Sequence, residues 1–263
     1  MKRYFISLIL LLTTISCQNK KGAPLVLSSN GNINTITVVM TDQLWAGTIG
    51  QAVRDMYAYS AEGLPQQEPL FDLKQIPPEV FTGFAQSSRS VLWVGIRDQT
   101  NIRIDKNTYA QPQTVVVFTA PTPTALTEII ISQSDEVIKI LHTQERAERL
   151  RRIRKSTYAN HGLDKKFGFT LTMPSAYKTL KENETTSWFQ REIQKGHINL
   201  LVTTTPYDED IVVDQNLEKI ITQHDSIGKA FIPGRLPNSH LITEKAYEPY
   251  IYSTTFGKKP ALE

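Results

Sequence analysis

The sequence is poor in the residues that mark several common classes of protein. A single cysteine among 263 residues excludes a disulfide within the chain. The five histidines are scattered, without an H-E-x-x-H or C-x-x-C pattern, so we expect no metal and no other cofactor. Glycine-rich phosphate loops and a G-x-S-x-G nucleophile elbow are also missing. The sequence therefore offers no catalytic constellation, and it favours a protein that is not an enzyme.

A large excess of either charge is missing too. The chain has 29 basic and 26 acidic residues, a formal net charge of +3. Two of the basic residues, Lys2 and Arg3, belong to the extreme N-terminus, and without them the excess is a single charge. This balance does not indicate a nucleic acid as partner. Hydrophobic and charged residues make up 40% and 21%, which is ordinary for a chain that buries a globular core.

The N-terminus has the three-part layout of an export signal. Lys2 and Arg3 precede the apolar run Phe5–Leu12, and small or polar residues then lead to Cys17. The run is too short to span a bilayer, which takes about 20 apolar residues. The four residues ending at Cys17 resemble the lipobox of bacterial lipoproteins, with Thr14 where leucine is usual.

These features predict a lipoprotein whose signal, residues 1–16, is cleaved. Cys17 would carry a diacylglyceryl group and an acyl chain such as palmitate, and two or more chains anchor a protein stably. Residues 17–32 would be the lipidated cysteine and a tether. The tether lacks an acidic cluster of the kind that marks surface-exported lipoproteins, so we expect an outer-membrane protein facing the periplasm. The alternative is an ordinary cleaved signal with an incidental cysteine.

The remaining sequence predicts an α+β fold of two mixed or antiparallel sheet modules, each packed against helices. In the N-terminal domain, residues 33–160, the periodicity predicts the order β-α-β-α-β-β-β-α. Its main elements are strands over 34–40, 89–96 and 113–120 and helices over 43–57 and 124–157. The C-terminal domain, residues 161–263, is predicted to contain strands over 167–173, 186–192, 197–204, 241–247 and 251–256 and a helix over 216–227.

A long loop, residues 61–71, and the helix before it provide the candidate partner-binding surface. Glycine and proline fix the loop backbone, and such a loop beside an exposed aromatic residue is typical of binding sites. The alternative is that the apolar members simply close the core. The candidates are Trp45, Arg54, Gly63, Pro65, Glu68 and Phe71.

Two charged segments have a functional and a simpler interpretation. The acidic residues 208–210 could hold calcium, but their spacing does not match a calcium loop, and a solvated turn is favoured. The basic run over 146–155 could meet anionic lipids. A solvated helix face is favoured here as well, because Glu145 with Arg149 and Glu148 with Arg152 are favourable i,i+4 pairs.

Several stretches resemble an uncharacterised family of Bacteroidota lipoproteins, a DUF4837-like domain of unknown function. The resembling stretches are Val38–Gly47, Gly63–Phe71, Ile76–Phe84, Phe167–Pro174 and Glu248–Thr254. The resemblance implies a location and an architecture but no mechanism. Members of the family continue past Phe256 through a strand-rich segment that this sequence lacks. The resemblance therefore implies a C-terminal domain that is truncated.

Three functions remain open from the sequence alone. The favoured one is a non-catalytic binding or structural module, held to the membrane through lipid on Cys17, with an envelope protein or a glycan as partner. The second is an envelope hydrolase acting on glycan or peptide through carboxylates such as Asp55 or Glu68. The third is a carrier of an apolar ligand in a cavity between sheet and helix.

Overall fold

The computed structural model describes residues 27–64, 66–159, 162–212, 215–247 and 249–263. The first half contains seven described strands and four described α-helices. The strands are β1 (Leu27–Ser28), β2 (Thr35–Val39), β3 (Asp72–Ile76), β4 (Ser90–Ile96), β5 (Asn101–Lys106), β6 (Ala110–Gln111) and β7 (Thr114–Ala120). The helices are α1 (Asp42–Ala46), α2 (Thr48–Tyr57), α3 (Pro123–Ser132) and α4 (Ser134–Ile153), with two 3-10 helices, Pro78–Val80 and Gly83–Ser87, between β3 and β4.

Five of these strands form one sheet in the order β3-β2-β4-β7-β5. The first four are parallel, and β5 lies antiparallel to β7 at the edge. The inner strands are apolar on both faces because both faces are covered. Helices α2, α3 and α4 pack on one face, and Phe81 from the 3-10 connection covers valines on the other. The predicted mixed sheet with helices against one face is confirmed.

Both long helices predicted for this half are divided in two. The helix over 43–57 breaks at Gly47, whose extended backbone separates α1 from α2. The helix over 124–157 breaks at Gln133, between α3 and α4. Short breaks of this kind leave the apolar periodicity on both sides intact, so the periodicity alone does not reveal them.

The described part of the second half contains a smaller sheet, a hairpin and three helices. They are α5 (Leu163–Phe167), β8 (Lys178–Glu182), β9 (Thr186–Ile193), β10 (Gly196–Thr203), α6 (Glu209–Val212), α7 (Leu217–Phe231), β11 (Ser253–Phe256) and β12 (Lys259–Leu262). The sheet is antiparallel in the order β10-β9-β8, and β11 pairs with β12. Its core is small and centres on Leu163, Met173 and Phe189. Helices and several sheets in both halves confirm the α+β prediction.

Two predicted strands of this half are wrong. Residues 167–173 form no strand, because α5 takes the start of the segment and ends at Gly168 with a φ of +74°. Residues 241–247 form no strand either. The Leu241 amide donates to the Ile232 carbonyl and the Thr243 amide to Asp225 Oδ1, so part of this backbone is paired with α7 and its end rather than with a neighbouring strand.

The described chain begins within the predicted tether. Strand β1 pairs in parallel with β6, and Asn30 forms a bridge with Ser88. Residues 27–30 therefore lie against the first domain. The predicted signal and Cys17 lie outside the described residues. No helix in the described part of the chain is long and apolar enough to cross a membrane.

Candidate functional site

An apolar groove lies along α7 in the second half of the molecule. Its volume is about 270 Å³. One wall is the face of α7, and the other is formed by Thr243 and by residues 249–251 and 262–263. The α7 residues that line the groove are Leu217, Ile220, Ile221 and His224.

The sequence of α7 determines its groove-lining face. The side chain of Asn216 caps the helix by accepting a hydrogen bond of 3.0 Å from the Lys219 amide. The lining residues then recur at i, i+3, i+4 and i+7, which places them on one side of a helix. Burial of this side is incomplete, because the three aliphatic residues are each only half-buried. An apolar helix face that remains partly exposed can still gain from a partner.

Gly228 brings the opposite wall close to α7. A Cβ atom at this position would lie 2.2 Å from the Leu241 carbonyl oxygen, so only glycine allows the segment to pass here. Leu241 then donates to the Ile232 carbonyl at the end of the helix, with a distance of 3.0 Å. Past this contact, the chain runs back beside the helix as far as Thr243.

Thr243, Asp225 and His224 form a polar cluster at the rim. Asp225 Oδ1 accepts hydrogen bonds of 2.7 Å from both the hydroxyl and the amide of Thr243, and these bonds lower the pKa of the Asp225 carboxyl. The Thr243 hydroxyl lies 2.9 Å from His224 Nδ1, and Asp225 lies 3.2 Å from the same nitrogen. A catalytic triad needs its nucleophile and its carboxylate on different ring nitrogens. This cluster therefore holds the wall in place and lacks the geometry of a triad.

Two further hollows adjoin the groove. One, of about 340 Å³, shares Leu217, Ile221, Thr243 and Pro249 with it. The other, of about 330 Å³, lies beside the β11–β12 hairpin and shares Leu262. The groove and the first of these hollows both lie against the first turns of α7.

The loop predicted to bind a partner reaches the edge of this groove. Glu62 accepts a hydrogen bond of 3.0 Å from the Tyr252 hydroxyl. Gly63, at a φ of +78°, lies next to the ring of Tyr250, which lines the groove. The rings of Tyr250 and Tyr252 stack with 6.3 Å between centroids. The tip of the loop thus borders the groove through this pair of tyrosines.

The six candidate residues do not form one surface. Phe71 is completely buried and packs against His142 at 4.7 Å between ring centroids, so it belongs to the core and cannot contact a partner. Trp45 and Arg54 contact each other: the guanidinium lies 4.6 Å from the ring centroid and donates to the Trp45 carbonyl. Gly63 and Glu68 are exposed in the loop. Pro65 lies outside the described residues.

The carboxylates named for a hydrolase lie at the surface. Asp55 is exposed on α2 and accepts a hydrogen bond from Gln51, and Glu68 is exposed in the loop. In the acidic segment, Lys219 forms ion pairs with Asp208 and Asp210, and the predicted turn is wrong in part, because Glu209 and Asp210 begin α6. Within the described ranges, no group of three or more His, Cys, Asp and Glu residues is arranged to hold a metal ion.

A larger hollow of about 910 Å³ lies between β5 and α4. Its lining mixes side chains of both charges, including Lys106, Asp135, Glu136 and Lys139. Such a lining is typical of a solvated helix face, and a larger share of it is polar than in the groove. We therefore take the groove along α7 as the candidate site.

The role of α7 could not be predicted from the sequence. Its apolar spacing was visible and predicted a helix over 216–227, but an apolar face that is buried and one that stays half-exposed have the same spacing. The structure distinguishes the two cases, because the small core of the second half includes no residue of α7.

The two halves of the chain match different protein families. No curated protein and no solved structure matches it. The predicted DUF4837 resemblance is confirmed for the second half, whereas the first half matches a different family model. Residues 29–154 match the domain of unknown function DUF8532, and residues 156–263 match the domain of unknown function DUF4837.

Proposed function

We propose that this protein is a lipid-anchored, non-catalytic module of the bacterial cell envelope that binds an apolar segment of another envelope protein. The observation that carries the proposal is the groove along α7. Leu217, Ile220 and Ile221 are half-buried there, although they belong to the apolar face of a regular helix. Covering such a face removes apolar surface from water, at about 25 cal/mol per Å².

The chemistry of the lining favours a protein segment over a glycan. Glycan hydroxyls need hydrogen-bonding partners, and a polar group that loses water without a partner is costly. The three aliphatic side chains of α7 offer none, and His224 is the one polar side chain that this helix contributes to the lining. At the rim, the hydroxyl and amide of Thr243 are already bonded to Asp225. Apolar side chains spaced along a helix or a strand match this lining better.

The proposed anchor is lipid on Cys17, as the signal-like N-terminus indicates. A Cys17→Ser variant should lose the membrane association of the wild-type chain and appear in the soluble fraction. Fractionation followed by mass spectrometry of the N-terminal peptide would detect both the shift and the loss of acyl mass. Unchanged membrane association of the variant would contradict the anchor without affecting the groove.

Photo-crosslinking in intact cells tests the binding site. A photoreactive amino acid at Ile221 should capture one protein reproducibly, because this residue lines the groove. The matched control places the same group at the exposed Thr222, which points to the opposite side of α7. Equal capture at both positions, or none at Ile221, would contradict a protein partner at the groove.

Carriage of an apolar ligand is a second candidate. The hollows of about 340 and 330 Å³ beside the groove reach the lower end of the range for ligand cavities, about 300 Å³. Extraction of the protein purified from cells, followed by lipid mass spectrometry, should then recover a stoichiometric ligand. An Ile221→Asp variant should lose that ligand, and recovery of no lipid from the wild-type chain would exclude this candidate.

A further inference from the structure

The outer edge of β10 differs from the other outer edges of the two larger sheets. β3, β5 and β8 all carry charged residues, a common protection against unwanted strand pairing. These residues are Asp72 and Lys74 on β3, Arg103, Asp105 and Lys106 on β5, and Lys178, Lys181 and Glu182 on β8. The register of β8 is also shifted between Thr179 and Lys181.

Strand β10 has none of these protections. Its eight residues, Gly-His-Ile-Asn-Leu-Leu-Val-Thr, include no lysine, arginine, acid or proline. It pairs with β9 through all eight positions without a bulge, and among the described residues no other strand pairs with it. Residues 196–199 are exposed, and 37% of the surface of Ile198 is accessible. A regular edge of this length is a template for another strand.

The hydrogen-bonding direction of this edge follows from the hairpin. Ile193 and Gly196 flank a two-residue turn, which makes them a hydrogen-bonded pair. Even-numbered residues of β10 therefore bond to β9, and the Thr204 amide, which donates to the Thr185 carbonyl at 3.0 Å, continues this alternation. His197, Asn199, Leu201 and Thr203 consequently direct their amide and carbonyl groups to the free edge.

We propose that β10 pairs antiparallel with β10 of a second copy of this chain, about a two-fold axis at Leu200. Opposite residues must both direct their backbone groups to the shared edge, so the axis must pass through a residue rather than between two. With the axis at Leu200, residue 197 faces 203 and residue 199 faces 201 of the second copy. In this register, all four residues that direct their backbone groups to the free edge form hydrogen bonds with the second copy. An axis at Asn199 or Leu201 would leave at least one of the four without an opposite residue in β10.

Side-chain chemistry supports the same register. Ile198 would face Val202 of the second copy, and Leu200 would face its counterpart, all on the face of the sheet that carries Phe189. Exposed Ile198 would thus gain an apolar neighbour, and no two charged residues would lie opposite each other. The pairing would create one continuous six-stranded sheet. It uses an edge that is separate from the α7 groove and does not depend on the proposed function.

Disulfide trapping tests this geometry. Leu200 and its counterpart would be a non-hydrogen-bonded pair with Cα atoms about 4.5 Å apart, within the range that a disulfide spans. A Leu200→Cys full chain should therefore form a covalent dimer under mild oxidation. A Leu201→Cys chain should not, because its cysteines would lie two residues out of register. The wild-type chain, whose only cysteine is Cys17, gives the background.

Two further chains cover the case in which Leu200→Cys does not fold. Mixed Ile198→Cys and Val202→Cys chains should form a disulfide with each other, and each chain alone should not. In analytical ultracentrifugation, the wild-type chain should have the mass of a dimer, and an Ile198→Lys chain should have the mass of a monomer. The matched Ile193→Lys change, at a similarly exposed isoleucine of β9, should leave the dimer intact. A monomeric wild-type chain, or cysteines at 200 that trap a different protein, would overturn the proposal.

Discussion

Arg89 and Glu145 form a two-pronged ion pair that is sealed from solvent. Arg89 Nε and Nη2 each lie 2.8 Å from a carboxylate oxygen of Glu145, and neither side chain is more than 2% exposed. Ser90 and the Asn34 amide also donate to this carboxylate, and Arg89 donates to the Gly31 and Asn32 carbonyls. The pair therefore joins α4, the start of β4 and the segment that precedes β2.

Removing one member of this pair should be costly. Glu145→Leu leaves the Arg89 charge buried without its main partner, and we expect the free energy of unfolding to fall by about 3–5 kcal/mol. Urea denaturation followed by circular dichroism would measure the loss. Asp105→Asn, which breaks the more exposed pair with Arg103, should cost less than about 1 kcal/mol. Similar losses for both variants would show that the buried pair has no special structural role.

The neighbouring carboxylate of Glu148 should make stability depend on pH in the acid range. Hydrogen bonds from Arg151 lower its pKa from 4.5 to about 2; burial opposes this shift, while Arg152 and Arg89 add to it. Because the pKa is lower in the folded state, the stabilisation is complete above about pH 4.5 and disappears as the pH falls towards 2. In Glu148→Gln, the unfolding free energy should vary less between pH 5 and pH 2. The matched change at exposed Glu136 should preserve the wild-type pH profile.

The two acidic residues also show where sequence reasoning succeeds and where it stops. The predicted i,i+4 pair of Glu148 with Arg152 is present at 2.7 Å. Glu145, predicted to face Arg149 in solvent, pairs with Arg89, 56 residues earlier in the chain. Spacing along one helix predicts contacts within that helix only. The charged side of α4 near its C-terminal end is thus partly an interior face, which only the position of the sheet determines.

The same limit explains why the first half of the chain could be predicted better than the second. Strands β2, β4 and β7 could be predicted because their buried, apolar runs are long and regular. The second half has fewer such runs. Residues 168–173 follow the end of α5 as an irregular segment beside Phe189, despite strand-like spacing. Its groove depends on which apolar residues remain uncovered, and this is a property of the packed molecule.

Tyr57 is a position at which a substitution should increase the stability of the protein. Its side chain is completely buried, its hydroxyl has no hydrogen-bond partner among the described residues, and burial raises its pKa. An unpaired buried hydroxyl costs about 1–3 kcal/mol. Tyr57→Phe should therefore raise the unfolding free energy by about 1 kcal/mol, whereas Tyr59→Phe, at an exposed position, should change it little. A loss of stability in Tyr57→Phe would reveal a partner for the hydroxyl.

Gly228 should be essential for the groove but not for the first domain. In Gly228→Ala, the new Cβ would require Leu241 to move away from α7. We expect the partner capture from position 221 to fall several-fold and hydrogen exchange to rise over residues 241–243. Ala230→Gly, at an exposed position two residues further along α7, controls for a general loss of helix stability. Unchanged exchange in Gly228→Ala would show that the segment does not depend on this contact.

The hydrogen bond between Tyr252 and Glu62 should restrain the loop over residues 61–71. Tyr252→Phe removes only the hydroxyl, so the loop should open more often. The loop contains Glu62, so a glutamate-specific protease can cut there when the loop opens, and mass spectrometry of the fragments identifies cleavage at this residue. Cleavage there should become about two- to fivefold faster, as expected for the loss of one exposed hydrogen bond. In Tyr250→Phe the bond to Glu62 is retained, and the cleavage rate should stay close to that of the wild type. If the two variants are cleaved equally fast, the loop is held by the stacked rings and not by this bond.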